Sequence, residues 1–193
     1  MYKYRVGENA TEQARVEGLV GGTAIDTVDA TTLKIGGTAV TATAAEINAK
    51  CDDSSRYVVV TDATTYSITA ANSGKVHIVP DLTADITISL PTEADGLSYE
   101  FWYGGAAADA QDWIFDTGSN TNYFIGGVTH IDTDAGAGGD EVVPVFSDGD
   151  SNSKLTVNVP QCGTRVSFFC NGTQWYINGI VVAATAPAFA DQA

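Results

Sequence analysis

Positive charge is what this sequence most lacks. Nine Lys and Arg stand against 24 Asp and Glu, a net charge of −15. Such a surface repels phosphate backbones and anionic headgroups, so nucleic acid and membranes are not expected as partners. Long apolar runs are missing as well. No stretch approaches the ~20 apolar residues that span a bilayer. The opening "MYKYRVGENATEQARVEG" has no apolar stretch of the secretory kind, so synthesis in the cytoplasm is expected. Cysteine is scarce and odd in number: Cys51, Cys162 and Cys170 make neither a disulfide framework nor a zinc spacing. Cys170 is expected to pack as a small apolar residue. Histidine is scarcer still, with only His77 and His130 available to a His-based mechanism. No nucleophile elbow, phosphate loop or paired-His metal motif occurs. No pair of carboxylates stands out for glycoside hydrolysis. An enzyme is therefore not expected, and no cofactor.

What is present is β pattern, from Tyr57 onward. "DITISLP" alternates, with Ile86, Ile88 and Leu90 on one face and Thr87 and Ser89 on the other. "KLTVNVP" places Leu155, Val157 and Val159 together, and "RVSFFC" does so for Val166, Phe168 and Cys170. "KVHIVP" predicts Val76 and Ile78 inside and His77 outside. Tyr99, Phe101 and Tyr103 share a face that reads as core, with Glu100 and Trp102 opposite. Further strands are expected at 56–61, 65–69, 113–116, 123–125 and 141–146. Asn171-Gly172, between "RVSFFC" and "QWYING", is a strong hairpin signal. The Asn-X-Thr sequons at Asn9 and Asn171 are not expected to carry glycan on a chain made in the cytoplasm. Many short strands separated by Gly, Asp and Asn predict a mainly β fold: an antiparallel β-sandwich or barrel.

The first third reads differently. Residues 1–52 form an extended N-terminal arm in this reading, 53–182 the β-sandwich domain and 183–193 an extended C-terminal tail. Within the arm, Thr32–Ile35 and Thr38–Thr41 are expected to pair as a β-hairpin around Gly36-Gly37. One short helix follows, about Ala44–Lys50, capped by Thr43 and Glu46 at capping-box spacing. Such a helix does not stand alone in water. Something must cover Ala44, Ala45 and Ile47, and another copy of the chain can do so.

The loops hold two candidate metal ligand sets. Asp148, Asp150 and Asn152 alternate as in a calcium loop, but Ser153 stands where the turn glycine belongs and Val159 where the distal glutamate belongs. Asp132, Asp134 and Asp140 are discounted in the same way, and no metal is expected.

"LKIGGTAVTATAAEIN", residues 33–48, resembles a segment that recurs in bacteriophage fibre and virion structural proteins, with Ile47 where that pattern usually has Leu. A looser resemblance to the β-domain of phage structural proteins runs over 66–180, through "YSITAANSGKVHIV" and "GTRVSFFCNGTQWYINGIVV". The first 32 residues and the loop "HIDTDAGAGGDE" match nothing in that pattern. The resemblance implies a homotrimer on the virion, with Ala44, Ala45 and Ile47 around the threefold axis. It implies a capsid decoration (cement) protein on the capsid surface, bound to the major capsid protein and made in the host cytoplasm. The alternative is a tail or head fibre or receptor-binding protein.

Overall fold

The computed structural model describes residues 34–35, 38–39, 41, 47, 56–134 and 141–192. The chain divides into two units, Met1–Ile47 and Asn48–Ala193. In the first, β1 (Lys34–Ile35) pairs antiparallel with β2 (Thr38–Ala39), Ile35 opposite Thr38, which is the expected hairpin. Ile47 is helical and 37% exposed. Thr43, Ala44, Ala45 and Glu46 lie outside the described residues.

The second unit is a sandwich of two sheets, consistent with the mainly β expectation. Its strands are β3 (Tyr57–Val59), β4 (Thr65–Ser67), β5 (Val76–Val79), β6 (Ile86–Ser89), β7 (Asp95–Tyr103), β8 (Trp113–Asp116), β9 (Phe124–Asp132), β10 (Val142–Phe146), β11 (Lys154–Val157), β12 (Arg165–Asn171), β13 (Trp175–Ala183) and β14 (Ala188–Ala190). The larger sheet has the order β10-β9-β13-β12-β7-β5-β3, and the smaller β14-β11-β8-β6-β4.

Between β3 and β8 the chain changes sheet after every strand. Each wrap lays its two strands parallel to those of the wrap before: β5 beside β3 and β7 beside β5 in one sheet, β6 beside β4 and β8 beside β6 in the other. A parallel pair needs a long crossover, and here the strand in the opposite sheet supplies it. The second half closes the sandwich differently. β12 lies antiparallel to both β7 and β13, β13 runs parallel to β9, and β10 folds back on β9. Both sheets are thus mixed rather than wholly antiparallel.

The core lies between the sheets. Ile86, Ile88, Tyr99, Phe101, Trp113, Phe115, Leu155, Val157, Val166, Phe168, Cys170 and Trp175 are all buried. Its centre is aromatic: Phe101 meets Phe115 edge-on at 4.9 Å, and Phe115 meets Phe168 at 5.0 Å. Such pairs add about 0.5–1.5 kcal/mol beyond their buried area.

Four details depart from the sequence pattern. His77 is fully buried, and Val76 and Ile78 face outward. The cause is register, since β5 sets His77 beside Phe101, an inward position of β7. Val159 is not on a strand face; β11 ends at Val157, and Val159 sits in a turn at φ +42°. β9 does not stop near Ile125 but runs on through Gly126-Gly127. Gly126 adopts φ +115°, and a Cβ there would lie 2.4 Å from the Ile177 carbonyl oxygen of β13. Glycine thus permits a close strand approach where its type reads as a turn. Finally, the expected C-terminal tail contributes β14, paired with β11, and Phe189 packs against the core.

Candidate interaction face

The outer surfaces of the two sheets differ in kind. On the smaller sheet, outward residues fall into two cross-strand rows. One is Thr65, Thr87, Ile114, Thr156 and Ala188; the other is Ser67, Ser89, Asp116, Lys154 and Ala190. Ser89 Oγ donates to Asp116 Oδ2 at 3.2 Å. Small hydroxyls are the ordinary dress of a solvated sheet, and Asp116, in register with Lys154, is buried among them.

The larger sheet is dressed otherwise. One row reads Tyr57, Val76, Glu100, Ser167, Asn178, Gly127 and Phe146, and the next reads Val59, Ile78, Trp102, Arg165, Ile180, Thr129 and Pro144. Beyond the first row, Phe169 pairs with Tyr176 across β12–β13, ring centroids 6.4 Å apart. Beyond the second, Val142, Ile131 and Val182 align. Exposure is high at Phe146 (69%), Val142 (67%), Tyr57 (60%) and Val59 (58%). Trp102, Phe169 and Tyr176 are exposed too. The face carries a single acid, Glu100, and a single base, Arg165. They border a groove of about 320 Å³ across the middle of the sheet, lined also by Thr129, Ser167, Asn178 and Ile180. Large exposed apolar side chains thus flank a polar middle of Glu100, Ser167, Asn178, Arg165 and Thr129, and so many on one face mark an interaction site.

The edges of that sheet are poor templates for strand addition. β3 is only three residues long, and Pro144 removes a donor from β10.

The remaining candidates have structural employment. His77 is caged by aromatic rings: Phe101 stacks on it at 4.7 Å, and Tyr66 and Tyr99 meet it edge-on at 6.1 and 6.0 Å. Neither ring nitrogen has a hydrogen-bond partner. Burial lowers its pKa, and nearby backbone of Glu100 and Lys75 opposes that without closing a hydrogen bond. His130, buried on β9, bonds the Ala183 carbonyl through Nε2 at 3.0 Å. Asp148 turns inward on its own loop, accepting from the backbone N–H groups of Asp150, Ser151 and Asn152 at 3.2, 3.0 and 3.0 Å. The Ser151 hydroxyl and those amides hold its carboxyl down at about 2. Its oxygens are spoken for by the turn. Among the described residues, no cluster of three or more His, Cys, Asp or Glu is arranged to hold a metal. Asp132 accepts from the Asp134 N–H at 2.8 Å, while Asp140 lies outside the described residues.

At one end of the sandwich, buried Asp109 accepts from the Leu82 N–H at 3.0 Å and the Gln111 N–H at 3.1 Å. Burial pushes its carboxyl up, against those two amides. Tyr103 donates its hydroxyl to Asp81, and burial first, then that carboxylate, pushes the phenol well up. These contacts tie the loops after β5 and β7 together.

No family model and no curated protein matches this chain.

The sequence reading missed the apolar face, yet a signal for it exists. "RYVVV", "KVHIVP", "VVPVF" and "INGIVV" are apolar at both parities of the strand. A strand of that kind is covered on both sides or exposes one apolar side.

Proposed function

We propose that this chain is a non-enzymatic structural protein of a bacteriophage virion: a capsid decoration protein that assembles as a homotrimer on the outer capsid surface, against the major capsid protein. The observation that carries an assembly role is the contrast between the two outer faces, one of Thr and Ser, the other of Tyr57, Val59, Trp102, Phe146, Phe169 and Tyr176. The resemblance of residues 33–48 to phage virion proteins supplies the setting. In this reading Ala44, Ala45 and Ile47 gather around the threefold axis, with Thr43 and Glu46 capping the helix they lie on. A trimer that bridges neighbouring capsomers binds only the expanded lattice and stabilises it by mass action. Three linked contacts add avidity without any new chemistry. The acidic surface, at net −15, keeps decorated particles apart.

A fibre or receptor-binding role is the second reading, favoured by the fibre-like character of "TATAAEIN". Copy number separates the two. Quantitative mass spectrometry of purified virions, referenced to the major capsid protein, should give hundreds of copies for decoration. Tens or fewer, at a vertex or tail, would assign the fibre role, and absence from the particle would end both.

A further inference from the structure

The apolar face of the larger sheet has a definite size, charge and symmetry of edges, and these select its occupant. We propose that this face packs against a second copy of the same chain. The inference rests on the self-assembly of the preceding section and adds to its threefold axis a separate two-fold contact, because a face that meets the same face of its copy is isologous.

Size comes first. Seven strands at about 4.8 Å spacing are roughly 30 Å across, and the three to four outward positions along the central strands cover roughly 20 Å. That is about 600 Å² before side-chain relief is added, close to the ~800 Å² that each partner gives a standard interface. A small ligand would occupy only the groove between Glu100 and Arg165, whereas the exposed Tyr57, Val59, Val142 and Phe146 lie outside it on the two edge strands.

Charge comes next. Copies of a chain at net −15 repel one another through most of their surface. The rows described above carry one acid and one base, so the face itself is neutral. Glu100 lies opposite Ser167 and Arg165 opposite Trp102, which places the two charges on a diagonal of adjacent strands. A second copy brings the same two charges, so Glu100 of one can meet Arg165 of the other with no charge left over. A surface with both signs is self-complementary in the way contacts between copies require.

Edges settle the mode. With β3 short and β10 interrupted by Pro144, copies gain little by extending the sheet sideways. Contact through the face is what the fold leaves open. The anchors are then the exposed aromatics Trp102, Phe146, Phe169 and Tyr57, of the type that dominates interface energetics.

Trp102 also provides the readout. Trp113 and Trp175 are fully buried and Trp102 is 43% exposed, so only Trp102 reports on the face. Sedimentation of the full chain at micromolar concentration should give a multiple of 20.1 kDa. Dilution through dissociation should red-shift the tryptophan emission, and Trp102→Phe should abolish the shift. Phe146→Lys, on an edge strand, and Phe169→Lys should each weaken association at least tenfold, with circular dichroism unchanged. Thr87→Lys, on the hydroxyl-rich face, should leave it as it is. A wild-type monomer would overturn both this inference and the homotrimer. An oligomer that survives both lysine substitutions but is lost on Ile47→Asp would overturn this inference alone and leave the helix-centred trimer standing. Emission that stays constant while the mass falls would equally refute the face as the contact.

Discussion

Replacing His77 with phenylalanine isolates the most awkward polar group in the core. The ring is fully buried, Nδ1 and Nε2 have no partner, and the surroundings are the rings of Phe101, Tyr66 and Tyr99. An unsatisfied buried polar group costs about 1–3 kcal/mol. Phenylalanine keeps the stack on Phe101 and removes both nitrogens, and its extra volume offsets part of the gain. The sharper test is pH. Burial holds the pKa of His77 below its ordinary value of about 6.5. Above about 6.5 the ring is neutral whether the chain is folded or not, and its contribution is constant. As pH falls below that point the unfolded chain takes up a proton that the folded core refuses. Stability is then lost at up to about 1.4 kcal/mol per pH unit, until the folded pKa is reached. The neighbouring ionisable groups do not blur this. Burial pushes Tyr66 up and Tyr99 up to about 12, so both stay neutral, and the nearby charge of Lys75 adds to the lowering at His77. Urea denaturation of wild type and His77→Phe at pH 7.5, 6.5 and 5.5 should give curves that diverge only below about 6.5, the variant keeping more of its stability. Identical pH dependence in the two proteins would refute the buried neutral imidazole.

Four further outcomes are expected. Gly126→Ala forces a Cβ to within 2.4 Å of the Ile177 carbonyl at φ +115° and should cost at least about 2 kcal/mol in urea denaturation; a loss under 0.5 kcal/mol would mean the β9–β13 approach is not tight. Val159→Gly relieves a β-branched residue at φ +42° and keeps the backbone bond to Asp112 at 3.0 Å, so stability should stay within about 1 kcal/mol of wild type; collapse on a par with Val157→Gly would show that the side chain matters more than the strain. Ile47→Asp should abolish the threefold assembly seen by native mass spectrometry, leaving at most pairs held through the larger sheet, while the β-domain still melts cooperatively, because buried carboxylates around an axis are not tolerated; an unchanged trimer would place Ile47 elsewhere. Adding EDTA should leave the thermal midpoint in place, because the Asp148 carboxylate is committed to its own turn; a drop of more than about 4 °C would reveal a structural cation.

The local chemistry of the chain determined its class and much of its core. Alternation over Ile86–Leu90, Tyr99–Tyr103, Leu155–Val157 and Val166–Cys170 sorts inward from outward residues, because one side of each strand is plainly more apolar. The turn at Asn171-Gly172 is equally local: Gly172 takes φ +92°, and Asn171 Oδ1 accepts from the Thr173 and Gln174 N–H groups at 3.1 and 3.0 Å. Strand partners are another matter. That β3, β5 and β7 run parallel, and β4, β6 and β8 likewise, depends on the chain crossing the sandwich at each step, which no window of neighbouring residues encodes. Gly126-Gly127 reads as a turn until β13 lies beside it, and "APAFADQA" reads as a tail until β11 offers it an edge. The parity of β5 was undecidable locally, since Val76, Ile78 and Val79 place apolar side chains on both sides, and only pairing with Phe101 draws His77 inward. The same ambiguity concealed the apolar outer face: where both sides of a strand are apolar, alternation carries no information, and tertiary packing alone decides which side is buried and which is left to meet a partner.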